Sequence, residues 1–164
     1  MPTEAERKIA DIVDGFEAKG RVIPRVVGKL PDFPYTTFDA LTQAFKQGAV
    51  LLQRFKYEIN IELFETFATS FERFWFNAYT PSLAVIPLGA IALGYFVSWW
   101  FLLLVVLVPL SMKWTKNLYN RVIFRAAFGS ELIFCFLYYI GTVNVCKADG
   151  SKNYFWNIDT HPHV

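Results

Sequence analysis

What this chain lacks for longest is charge. From Phe74 to Met112 it carries no Asp, Glu, Lys, Arg or His, a gap of 39 residues. Cysteine and histidine are scarce as well, two of each in 164 residues. No Cys or acidic pair stands beside His161 and His163 at ligand spacing, so the tail is expected to be solvated and no metal site is expected. Glycine-rich phosphate loops, nucleophile elbows and zinc-type helix motifs are missing too. With no catalytic constellation, the chain is not expected to be an enzyme, and no cofactor is implied. A net charge of +2 gives no reason to expect nucleic acid.

The first 30 residues hold no apolar stretch suited to a secretory signal. Glu4, Glu6, Asp11 and Asp14 oppose a mitochondrial presequence, which should be poor in acids. Any membrane insertion is therefore expected to use internal signals. Cys135, inside an apolar run, is expected to be a buried thiol.

What is present is apolar and aromatic. Hydrophobic residues make up 54% and aromatics 18%, against 18% charged, a balance that points to a membrane protein. The charges are unevenly placed: residues 1–73 carry 10 Lys/Arg and 11 Asp/Glu, residues 74–164 only 6 and 3. Thr3 and Glu6 form a capping box ahead of an apolar stripe of Ile9, Ile12, Val13 and Phe16, which predicts an amphipathic helix over residues 4–19. Pro24, Gly28, Pro31 and Pro34 then suggest an extended connector through residue 35. From Phe38 to Phe74, apolar residues recur every three or four positions, with Gly48 the one weak place. That pattern predicts a long amphipathic helix over 36–80.

Residues 82–112 would make a helix about 46 Å long. A bilayer's hydrocarbon core is about 30 Å thick and takes about 20 residues. The run is too long for one upright span and too short for two full ones. Residues 126–146 form a second apolar stretch, interrupted by Glu131, which reads as an intramembrane carboxylate. Between them, Lys113, Lys116, Arg121 and Arg125 form a basic connector suited to anionic lipid headgroups. Ala90, Gly94 and Ser98 recur every four residues, the spacing at which small side chains let membrane helices pack closely. The expectation is therefore an all-α membrane protein. It has amphipathic N-terminal helices, membrane-embedded helices near 82–108 and 126–146, an aromatic tail over 147–164, and no independent globular core.

Taken with its flanks, the uncharged run resembles subunit f of the mitochondrial ATP synthase. The resemblance lies in Arg73-Phe74-Trp75-Phe76-Asn77-Ala78-Tyr79, in the Gly-x-Ile-Ala-x-Gly-Tyr pattern of Gly89 to Tyr95, and in Trp99, Trp100 and Phe101. Gly28-Lys29-Leu30-Pro31 is similar to a segment before the amphipathic helix of some members. The resemblance implies a non-catalytic accessory subunit of the membrane sector, in the mitochondrial inner membrane with its N-terminus in the matrix. Such a subunit would support assembly, dimerisation and proton-driven ATP synthesis. Its partners would be other subunits of a large complex and anionic lipid, cardiolipin above all. Members usually have one span and a short tail, whereas this chain continues for another 50 residues or so. Two alternatives share its features: an accessory subunit of another respiratory complex, and an endomembrane membrane-shaping or trafficking protein of the prenylated-Rab-acceptor kind.

Overall fold

The computed structural model describes residues 3–31, 33–54, 60–96 and 107–155. The chain divides into two compact units, one of residues 1–58 and 123–164, the other of residues 59–122.

In the first unit, α1 (Glu4–Glu17) opens with the Thr3 hydroxyl accepting from the Glu6 N–H while the Glu6 carboxylate accepts from the Thr3 N–H. Ile9 and Val13, four apart and on one face, are buried, and α1 packs against α6 (Glu131–Tyr139). The connector is shaped rather than loose. It holds a 3-10 turn at Val27–Lys29, and Ile23, Val27 and Leu30 point into the core. Gly28 is required there, because a Cβ would lie 2.5 Å from the Thr36 carbonyl oxygen.

Next comes α2 (Phe38–Lys46), capped by the Thr37 hydroxyl on the Ala40 N–H. At φ +71°, Gly48 ends it and turns the chain into β1 (Val50–Arg54). The helix expected over 36–80 is broken there by a residue that adopts the left-handed conformation at no steric cost. It is broken again at Ala68–Thr69, where α3 (Ile61–Phe67) gives way to α4 (Ser70–Phe96).

The sheet is antiparallel, ordered β1-β2-β3, with β2 at Val143–Lys147 and β3 at Asn153–Tyr154. Val50 faces Lys147 and Arg54 faces Val143, and Val145 faces Tyr154.

The all-α membrane architecture is therefore overturned. The protein is mixed α/β, and among the described residues no helix is long and apolar enough to cross a membrane. The stretch 126–146 is not a span. It contains the end of α5 (Leu107–Gly129), all of α6 and most of β2. With nine residues, α6 is about 13 Å long, and Gly141 at φ +69° turns the chain into β2. Its apolarity has another cause: Ile133 to Tyr139 are buried without a gap. The first unit also has a core of its own. Phe33 meets the rings of Phe134 and Tyr138 at 5.8 and 5.1 Å, Tyr35 at 5.9 Å and Tyr154 at 6.2 Å. Aromatic pairs at such distances contribute beyond the area they bury.

Two substitutions should separate this core from a merely greasy surface. Phe134→Ala should cost about 3–5 kcal/mol of stability and Gly28→Ala about 1–3 kcal/mol. Val22→Ala, exposed in the connector, should stay within about 0.5 kcal/mol. Denaturant midpoints of the purified chain measure all three.

Candidate functional site

The second unit is built from α3, α4 and the first part of α5. Asn60 caps α3, its Oδ1 accepting from the Leu63 N–H, and its own N–H donates to the Tyr119 hydroxyl at 3.4 Å. A capping box missed in the sequence starts α4. The Thr69 N–H and hydroxyl both donate to Glu72 Oε2 at 2.8 and 2.9 Å, and the Glu72 N–H donates to the Thr69 hydroxyl at 3.3 Å. The signal was legible as Thr-x-x-Glu, and it explains why the earlier helical pattern stops and restarts here. The Phe64 ring lies 4.3 Å from Phe76 and 6.1 Å from Tyr119, joining all three helices.

Trp75 of α4 and Trp114 of α5 stand 6.3 Å apart, edge to face. These residues flank the uncharged stretch almost at its two limits, so the chain that leaves at Trp75 comes back to the same place at Trp114. Phe71 and Phe74 pack on Trp75 at 6.0 and 5.8 Å. Both tryptophans and both phenylalanines remain partly or largely exposed. Within two residues of them in the chain are exposed cations: Arg73 on α4, Lys113 and Lys116 on α5.

Beyond this aromatic base α4 has two sides. Leu88 is 69% exposed and Tyr95 85%, with Val85 and Ile91 exposed as well, and Leu110 on α5 is 63% exposed. Ala90 is only 1% exposed. Full burial of a Val, Leu or Ile side chain is worth about 1.5–3 kcal/mol, and exposed apolar sets of this kind are the surfaces at which interaction sites are sought.

The residues singled out in the sequence separate as follows. Ala90 is buried, Gly94 lies in α4, and Ser98 lies outside the described residues, as do Trp99, Trp100, Phe101, His161 and His163. Lys113, Lys116 and Arg121 are exposed on α5 in the second unit, and Arg125 lies past the boundary in the first. Arg121 is seven residues beyond Trp114, about 10 Å along the helix. The cations nearest the tryptophans along the chain are thus Lys113, Lys116 and Arg73, the last not counted in the basic connector.

Glu131 opens α6 in the first unit, half-buried, and accepts from the Val27 N–H at 2.7 Å. It ties the connector to α6, where a carboxylate also suits the positive end of the helix. Among the described residues no group of His, Cys, Asp and Glu could hold a metal.

Cys135 and Cys146 are buried free thiols. Burial pushes Cys135 up to about 12, with the Glu131 charge adding to it, and burial raises Cys146 too. Glu6 is held below the usual carboxylate range by hydrogen bonds from the Ser130 side chain and the Thr3 backbone.

No known protein family, curated protein or solved structure matches the chain.

Because the thiolate is the reacting form, a thiol at about 12 is ionised in about one molecule in ten thousand at pH 8. The folded chain should therefore resist an impermeant maleimide from pH 7 to 9, and guanidinium should release both thiols to label. Rapid labelling of the folded protein at pH 8 would show that the two thiols are not both buried as described.

Proposed function

We propose that this chain is a non-catalytic accessory protein of a membrane assembly, attached by the apolar surfaces of α4 and α5. The observation that carries the reading is the meeting of Trp75 and Trp114 at the two limits of a 39-residue uncharged stretch. Tryptophan and flanking cations favour the boundary between headgroups and acyl chains, where one end of the side chain is wet and the other apolar.

The Gly89–Tyr95 pattern and its aromatic-basic lead-in support the membrane sector of the mitochondrial ATP synthase as that assembly. There the chain would aid assembly and dimerisation in the inner membrane, and so proton-driven ATP synthesis, with cardiolipin at its cations. In this reading the surface of α4 opposite Ala90 is covered by lipid and by neighbouring subunits. The mixed α/β unit gives the chain a folded body that a single-span member of that family would not need.

One observation favours a second reading, membrane shaping in the endomembrane system. An apolar stretch whose two ends meet, as Trp75 and Trp114 do, would load the bilayer from one side, which is the asymmetry that bends it.

Native-gel fractionation of membranes, with identification of the co-migrating subunits, separates these. Migration with the ATP synthase and its dimer is the expected result. Migration with another respiratory complex would move the assignment to that complex, and migration as a small species in endomembrane fractions would support the second reading.

A further inference from the structure

The pairing of β1 with β2 sets a condition on the uncharged stretch. Residues 50–54 and 143–147 are neighbours in one sheet, and residues 74–112 lie between them in the chain. A chain that leaves a folded sheet and returns to it passes through any bilayer an even number of times. One crossing, with Arg73 on one side and Lys113 on the other, is incompatible with the sheet. Two complete crossings need about 40 apolar residues and a turn besides, slightly more than the 39 present.

Resting on the membrane reading above, we infer that α4 and α5 form a same-side anchor for an anionic bilayer: the chain goes in at Trp75, comes out at Trp114, and keeps both flanks on one face. The Trp75–Trp114 contact at 6.3 Å reaches this conclusion independently of the sheet, since it places the two ends of the stretch at one level. Lipid, rather than a protein surface, is the occupant for three reasons. The stretch has no Asp, Glu, Lys, Arg or His to pair with a partner's charges. The exposed rings of Phe71, Phe74, Trp75 and Trp114 cluster at its base, as aromatics do at a membrane interface. Arg73, Lys113 and Lys116 stand at that same level with Glu72 the one acid between Arg73 and the α4 start, and Glu72 is turned inward onto Thr69. The base therefore presents cations to the headgroup layer. Both flanks lying on one face also removes a conflict that one long span creates, since basic residues on each side of the stretch then share the side they prefer.

The full chain, synthesised without cells in the presence of preformed sealed vesicles, provides the test. Ser70→Cys and Asn117→Cys, exposed positions on α4 and α5 outside the aromatic base, are made separately. The unaltered chain, with its two buried thiols, is the blank. Each variant is floated on phosphatidylcholine vesicles with and without phosphatidylserine or cardiolipin, then treated with an impermeant maleimide before and after detergent. Both cysteines should label fully from outside on intact vesicles. If one labels only after detergent, the same-side anchor is overturned while the membrane reading stands. If the chain floats on no vesicle, the membrane reading itself fails. Flotation should be stronger on anionic vesicles, and Lys113→Gln with Lys116→Gln should weaken it about 30-fold, about 5-fold per cation. Equal flotation on neutral vesicles would overturn the anionic preference.

Discussion

The pairing of Val50–Arg54 with Val143–Lys147 is the constraint under which everything else is arranged. It closes residues 55–142 into a loop of 88. Closing a flexible loop of that length costs about 4 kcal/mol beyond its constant part, and the strand alone is too short to hold it. The closure is supported by what arrives with β2. Val143, Val145 and the whole of α6 are buried, and the Phe33 ring joins the connector to α6 and β3. The Glu131–Val27 hydrogen bond adds a polar tie at a second point. The first unit is thus a composite of both ends of the sequence, and neither end holds a complete core without the other.

From that closure follows the character of the middle. Whatever α3, α4 and α5 do, they do as an excursion that begins and ends at one sheet. The two capping devices at its start, Asn60 on α3 and Thr69 with Glu72 on α4, fix where each helix begins. The Phe64, Phe76 and Tyr119 rings hold the arms together. Ala90 of α4 is buried. Val85, Leu88, Ile91 and Tyr95 of the same helix are left exposed.

Much of this could be read directly from residues. The first helix was legible because Thr3, Glu6 and the Ile9–Val13 stripe all belong to one local device. Gly48 stood out as a weak place because glycine alone takes a left-handed turn without strain. The apolar stretch of 126–146 was misread because hydropathy is blind to what surrounds a side chain. Phe134, Leu137 and Tyr138 are as apolar in a protein core as in lipid. The β-branched Thr142, Val143 and Val145 hinted at a strand, but a strand is a statement about its partner, and that partner lies some 90 residues earlier.

The sequence by itself determined the local events: helix starts, the glycine turn, the uncharged stretch and the aromatics and cations flanking it. Each depends on residues within a turn or two, so proximity in the chain is enough. The tertiary structure alone decided that Trp75 meets Trp114, that β1 meets β2, and that Glu131 ties a connector instead of standing in a membrane. Those depend on burial shared between distant segments, whose free energy appears only when both sides are present, and no spacing along the chain records it.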